Sequence, residues 1–586
     1  MRSLRFEVDL RDAARRLIHA RLRFEPGARP PYPSTAEVFL PVWTPGSYLV
    51  REFARLVRDV HAVDPSGSVL RCRKSAKNRW LVPLGDDGSV DLRWTLYARD
   101  LSVRTAYAST EGAFWDGANL CLWPVDAREV DAILDVLLPT GWSFFAGSTP
   151  VEMVEPGRAR FHVADHRTAV DTPCLAGPVD VLDLGVDARP HRFVSLGLSG
   201  ITLPDTFQAD ARAVVHATRG VFGGEPPYAR YTFLAMFGDR GRGGLEHADS
   251  SVLLAPRTTF APRSSYEDFL ALIAHEYLHV WNVKRMRPLE LWEPDLERES
   301  PTRLLWVAEG FTAYLDDLIC LRARVTTPKR YLGRLAAHVD AMFANPGRFR
   351  LSLADSSFDA WLLLYRPDES TRNVSQNYYT NGALAAFVID AAIRRASGGT
   401  RTLDDALRNL WHATWDEDRG YSHDDVLAAI DAAAGTSMRS LVDALILGPF
   451  DPDLDQALEL FGLRLERNAG ETPTLGVRFD SDHTTIAAVV DGSPADLAGL
   501  CPADEVLALD RFRVAAADFD RVWESVARAG EPLRVLVARM GVILEVLVTP
   551  GAALPGKAKI VAVPDPSAAQ LAHRASWLGS EVLGVD

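Results

Sequence analysis

The sequence predicts a multidomain α+β protein, with a β-rich start, a mostly helical middle and a second strand-rich stretch near the end. Three observations support that class. The chain has 586 residues, too many for a single core. Apolar and polar residues alternate in short runs before residue 185 and again after 470, the period of strands with one buried face. Between 264 and 460 the apolar residues recur at helical spacing instead.

In residues 1–185, the runs RFEVDL, HARLRF, VDLRWTLYARD and RFHVADH are separated by turn-rich segments such as EPGARPPYP and VDPSGS. From about 205, FQADARAVVHATRGVFG reads as a helix ending at glycines, and YARYTFLAMF as a strand. Residues 186–465 continue with YEDFLALIAHEYLHVWNV, PTRLLWVAEGFTAYLDDLICLRARV and GALAAFVIDAAIRRA, all of helical period. They are interrupted by ADSSFDAWLLLYRPDESTRNVSQN, a loop long enough to suggest a working role. Residues 466–552 hold the strands TLGVRF, TIAAVVD, EVLALDRFRV, PLRVLVARM and VILEVLVTP, with one helix among them. Residues 553–586, rich in Ala, Pro and Gly, read as a loosely held tail.

Hydrophobic residues make up 47%, so each part can bury an ordinary core. The net charge of −14 is spread along the chain with no Lys/Arg stripe, which argues against nucleic acid as a partner. Cys72, Cys121, Cys174, Cys320 and Cys501 are far apart and odd in number, which argues against a disulfide framework and against Cys-ligated zinc. MRSLRFEVDL has no apolar signal segment, and no apolar run reaches about 18 residues. The expectation is a cytoplasmic protein with no membrane partner.

The chemistry is concentrated in AHEYLHVWNVKRMRP, residues 274–288. Ser264 and Glu267 form a Ser-x-x-Glu pattern before an apolar run, so a helix should start there and reach about Asn282. On it His275 and His279 are i and i+4, and both imidazoles leave one face, as two ligands of a tetrahedral zinc require. Glu276, beside them, can act on a water without ligating. The third ligand expected is Glu309 in WVAEGFTAYLDDL, because a carboxylate in so apolar a setting is costly unless a cation holds it. Glu290, Glu293 and Asp317 are its rivals. The helix carrying Glu309 should begin at Ser300-Pro301. Asp316, about two turns further along the same face, either accepts the spare N–H of a ligating histidine or is a solvated carboxylate.

HEYLHVWNVKRMRP, WVAEGFTAYLDDL and QNYYTNGALAAFVIDAAIR resemble the glycyl aminopeptidase family of zinc metallopeptidases. LPVWTPGSYLVREFARLV and ARDLSVRTAYAS resemble that family's N-terminal β domain. The resemblance implies a β domain over 1–185, a thermolysin-like catalytic domain with a helical region over 186–465, a PDZ domain over 466–552 and a tail over 553–586. It also implies one Zn2+ ion and the removal of small residues, Gly or Ala, from peptides with a free N-terminus. GRGGLEHADSSVLL resembles the exopeptidase strand of the related aminopeptidase N type. By that resemblance Gly243 and Gly244 pair with the substrate backbone and Glu246 binds its α-ammonium, while His247 has no direct counterpart.

In YYTNG, Tyr379 matches a tyrosine that donates to the oxyanion, with Tyr378 as the competing assignment and Asn381 in place of a lysine. TLGVRF and VVDGSPADLAGLCPADEVLALD resemble a PDZ domain. Leu475, Gly476 and Val477 would then form the loop that holds the carboxylate of a protein C-terminus. Ala503 stands where a glycine is usual, which should alter that turn. Such a domain can equally pack on the catalytic core with no free groove. Two other functions stay open: a PDZ-guided zinc endopeptidase, and a non-catalytic zinc-stabilised scaffold that binds protein C-termini. The intact Glu276 argues against the scaffold, because a structural zinc has no use for a base.

Overall fold

A computed structural model describes residues 4–24, 34–186, 189–515 and 518–580. The chain is multidomain α+β and divides into two compact units. The first comprises Met1–Ser300, Arg322–Thr326 and Trp411–Tyr421; the second comprises Pro301–Leu321, Thr327–Leu410 and Ser422–Asp586.

The first unit begins with an eight-stranded sheet in which Leu4–Asp9 lies parallel to Ala132–Leu137 and antiparallel to Leu17–Phe24. The alternation in the sequence is realised directly. Leu4, Phe6 and Val8 are buried while Arg5 faces water, and Val90–Tyr97 alternates in the same way. Smaller sheets of five and four strands share this apolar core. A second five-stranded sheet follows, with His191–Leu196, Tyr231–Gly238 and Ser250–Pro256 running parallel. Tyr231–Gly238 is buried along its whole length, as a central parallel strand must be. Gly243–Glu246 pairs antiparallel with Ser250–Pro256 and forms one edge of this sheet. Helices Phe207–Phe222 and Arg263–Leu278 pack against each other.

Helix Arg263–Leu278 departs from expectation at both ends. Its N-cap is Pro262, and Glu267 does not close a capping box. Instead Glu267 accepts from Arg263 Nε at 2.8 Å and Thr326 Oγ1 at 3.0 Å. The regular helix stops at Leu278 rather than Asn282. Beyond it the chain winds in tight turns, with the N–H groups of Val283 and Lys284 both on the His279 carbonyl. Arg285 draws these turns inward by donating to the carbonyls of Val280 and Ala248.

The second unit is mainly helical. The expected α-helix from Ser300-Pro301 is corrected to a π-helical turn, Trp306–Phe311, followed by the α-helix Thr312–Arg322. Gly310 lets this turn lie close to helix Thr380–Ala396, since a Cβ on Gly310 would come within 2.6 Å of Gly382 Cα. The long loop is organised by the short helices Leu353–Phe358, Asp359–Trp361 and Thr371–Val374.

Within residues 468–557 a four-stranded sheet and a two-stranded ladder enclose an apolar core with helix Phe519–Val526. Ala503 adopts φ +68°, so the turn keeps a left-handed conformation without glycine. The expectation of a loose tail is also corrected. Ala558–Ala562 pairs antiparallel with Leu463–Arg467. Helix Ala568–Leu578 is closed by a Ser567/Gln570 capping box. Trp577, 2% exposed, packs on Phe461 at 4.3 Å and Phe387 at 5.3 Å. Its indole N–H donates to the Tyr314 hydroxyl at 3.1 Å. One tryptophan and a cap outweigh the small-residue composition that suggested a free end.

Candidate active site

His275 and His279 sit one turn apart at the end of their helix, with ring centroids 4.7 Å apart and ring planes nearly perpendicular. His279 Nδ1 lies 2.6 Å from the Asn282 carbonyl. That carbonyl can only accept, so Nδ1 carries the proton and Nε2 keeps a lone pair for a cation. The tight turn after Leu278 therefore orients a ligand-type histidine with main chain alone.

Glu276 is buried between these histidines and the sheet edge. A Cβ on Gly244 would overlap its Oε1, so the glycine leaves the space that the carboxylate fills. Glu246 is 3% exposed and its Oε1 has no hydrogen-bond partner among the described residues. One donor atom from each of Glu246, Glu276 and His279 lies within 4.8 Å of the others. Arg104, from the β-rich part, holds the strand in place by donating from Nη2 to the Gly244 carbonyl at 3.3 Å.

Beneath Glu246 lies a charged floor. Asp171 Oδ1 is 2.6 Å from Lys284 Nζ and 3.3 Å from His247 Nδ1, and its Oδ2 accepts from Ala248 N at 2.8 Å. Burial alone would raise the Asp171 pKa, but Lys284 and His247 outweigh it and hold the carboxyl well below its usual range. His247, which has no counterpart in the exopeptidase strand, thus lies against the Asp171 carboxylate. Nearby, burial pushes Asp116 up to about 7, against the pull of His247. Burial, with Asp171 adding to it, pushes Asp249 up to about 6.

In the second unit Glu309 is 2% exposed within the π-helical turn. Its rivals are engaged or placed elsewhere. Asp317 pairs with Arg334 at 3.2 Å, Glu293 is exposed beside Arg167 at 3.3 Å, and Glu290 is exposed. Asp316 is half-buried and faces His338. Tyr378 is fully buried, whereas Tyr379 is half-buried. Their rings stack at 4.8 Å, and both hydroxyls meet that of Tyr365, at 3.2 Å and 2.8 Å respectively. Asn381 donates to Gln376 Oε1 at 2.6 Å, an intramolecular role for the residue that replaces a lysine.

Leu475, Gly476 and Val477 line an open cavity of about 700 Å3, together with Phe479, Phe519 and Trp523. Gly476 has φ +82° and would clash with Ser493 if it carried a Cβ. Val477 opens strand Val477–Phe479, which faces helix Phe519–Val526 across the cavity.

Four residues of this architecture escaped the sequence. Arg104, Asp171 and Tyr365 have no motif of their own, and Lys284 is visible only as one letter of VKRMRP. Each acts through partners at least 13 positions away.

Two family profiles match the chain: the peptidase M61 N-terminal domain over residues 5–178, and the M61 glycyl aminopeptidase over 268–385. The second span contains His275, Glu276, His279, Glu309 and Tyr379. Among solved structures, an aminopeptidase N family protein from Idiomarina loihiensis superposes with a TM-score of 0.90 at 25% identity, covering 98% of this chain and 100% of that one. These matches support a metallopeptidase. The M1 zinc metallopeptidase of Deinococcus radiodurans is more distant, with a TM-score of 0.46 at 17% identity over 77% of this chain and 94% of that one. No curated protein matches. Among the described residues no helix is long and apolar enough to cross a membrane.

Proposed function

We propose that the protein is a zinc-dependent aminopeptidase that removes small N-terminal residues, Gly or Ala, from peptides. The observation that carries this reading is the nesting of Glu276 against Gly244, with Glu246 and His279 in reach. A base, a ligand-type imidazole and an unpartnered carboxylate meet at one sheet edge. One zinc ion would be held by His275, His279 and Glu309. Two imidazoles and a carboxylate are a donor set that suits zinc and leaves a position open.

Zinc, when bound, supplies a Lewis acid that polarises the scissile carbonyl and makes a water more acidic. The chain's own residues do the rest. Glu276 accepts a proton from the attacking water and passes it to the leaving amine. The Tyr379 hydroxyl, the more exposed of the pair and supported by Tyr365, donates to the carbonyl oxygen as negative charge develops. The backbone of Gly243 and Gly244 pairs with the substrate as an added strand. Glu246 accepts from the α-ammonium, which selects a free chain end and fixes the scissile bond. Asp316 would orient a ligating imidazole. Five cysteines, odd in number and far apart in the sequence, fit a cytoplasmic enzyme.

A second reading concerns residues 466–552, which we assign to a PDZ domain. The open cavity between strand Val477–Phe479 and helix Phe519–Val526 favours a groove that takes a protein C-terminus.

The test uses metal-analysed protein with free and N-acetylated alanyl chromophores. We expect about one zinc per chain and cleavage of the free substrate alone. Glu276→Gln should keep the metal and lose roughly three decades of turnover, because base, proton donor and water positioning go together. Equal cleavage of both substrates would favour an endopeptidase, and full activity of Glu276→Gln would end the mechanism.

A further inference from the structure

We infer that residues 43–48, a turn from the β-rich part of the chain, wall the receptacle for the first substrate residue and limit its side chain to a hydrogen or a methyl group. The inference rests on the assignment of Glu246 to the substrate ammonium and adds what sets the size limit.

The turn is firmly seated. Val42 N–H donates to the Leu296 carbonyl at 2.8 Å, and the Trp43 indole N–H donates to the carbonyls of Asp295 and Arg298 at 3.2 and 2.8 Å. Trp43 is fully buried. At the tip, Gly46 has φ +86°, a conformation costly for other residues, and a Cβ there would overlap the Glu246 carboxylate. Gly46 is thus a positioning residue. It lets Glu246 lie flat against the turn with Oε1 unpartnered, ready for a donor the protein does not supply.

Between the turn and the segment after the His-Glu helix lies a cavity of only about 20 Å3. Trp43, Tyr48, Val283 and Leu291 give it apolar walls, and Glu246 stands at one side. A space needs roughly 10–15 Å3 to take one water. This one therefore suits a group of that size, such as a methyl, and not an isobutyl.

The limit is set by a partition. Pro45, Lys284, Arg287 and Pro294 line the small cavity and also a second one of about 460 Å3. A larger side chain would have room only on the far side of these four residues. They are not free to yield. Lys284 is bound to Asp171, and Arg287 donates to the Lys284 carbonyl while its guanidinium covers Trp292 at 5.5 Å. Arg287, which has no ion pair among the described residues while Lys284 is neutralised by Asp171, also repels a basic first residue.

The experiment measures kcat and KM of the zinc-loaded enzyme on glycyl, alanyl, leucyl and lysyl chromophores, with binding of free alanine and leucine by calorimetry. Arg287→Ala should join the two cavities and raise the leucine-to-alanine ratio of kcat/KM at least tenfold, with the same trend in binding. Leu291→Ala enlarges the receptacle from its apolar side and should shift the ratio in the same direction, so the test survives misfolding of one variant. Gly46→Ala should raise KM for the alanyl substrate about tenfold or more, with zinc content unchanged, because Glu246 is displaced. A leucine-to-alanine ratio unchanged in every folded variant overturns the inference. Zinc-loaded wild type that binds no free alanine and releases none from the chromophore instead sinks the Glu246 assignment beneath it.

Discussion

Lys284 and Trp577 are both nearly sealed from water, at 7% and 2% exposure, yet they are held in opposite ways. Lys284 lies among charges, its ammonium on Asp171, with His247 sharing the same carboxylate. Trp577 lies among rings, stacked on Phe387 and tilted against Phe461, with a hydrogen bond from its indole N–H to Tyr314. The charged floor beneath Glu246 depends on every member being present, because a buried charge without its partner is far costlier than the pair. The aromatic clasp near the chain end depends on contact area, which degrades with the volume removed. The first arrangement also answers to pH, and the second does not.

Three substitutions sharpen that contrast. The largest effect on stability is expected from Trp577→Ala, about 3–5 kcal/mol, from lost burial and the cavity left behind. Urea unfolding measures it, and the loss should be the same at pH 5 and pH 8. Lys284→Met should cost about 3 kcal/mol at neutral pH by leaving Asp171 without its main cation. Its signature is different in kind. The depressed Asp171 carboxyl stabilises the fold above the ordinary aspartate range, and that contribution disappears as pH falls. The variant should lack it at neutral pH and show correspondingly less further loss on acidification through Asp171. Asp116→Asn should have the smallest effect. The folded state keeps the Asp116 proton up to about pH 7, whereas the unfolded chain gives it up near 4. Its contribution to stability therefore falls as pH rises through that window. The amide removes this slope, so the Tm difference between variant and wild type should grow in the variant's favour from pH 4 to pH 7. A pH-dependent loss in Trp577→Ala, or identical pH profiles for Lys284→Met and wild type, would dissolve the distinction.

Much of the architecture was legible because period and burial coincide. Leu4, Phe6 and Val8 alternate in letters and in space, and His275 and His279 share a face because four residues make about one turn. Glu276 was readable from its place between them. What stayed hidden depends on chain segments meeting from afar. Gly46 reads as an ordinary turn glycine in TPGSY until Glu246 comes to rest against it. Asp171 lies 113 positions from Lys284. The π-helical turn at Glu309 cannot be told from an α-helix by apolar spacing, and the close approach of Gly310 to Gly382 beside it joins positions 72 apart in the chain. The tail misled through composition: its alanines dilute the average, and one indole decides the outcome.

The ladder between Leu463–Arg467 and Ala558–Ala562 has a topological consequence. Arg467 and Ala558 stand opposite each other, so the chain leaves for residues 468–557 and returns across a single strand spacing of about 5 Å. Everything between them is an insertion on a closed stem, sharing one entrance and one exit. That body is also tied to its host outside the stem, by Asn373 donating to the Val489 carbonyl at 2.8 Å and by Arg350 on Asp491 at 2.9 Å, so removing it would break these contacts as well as the two connections. The order of the host elements would be kept, because Ala558–Ala562 and the helix Ala568–Leu578 after it both belong to the host side of the stem.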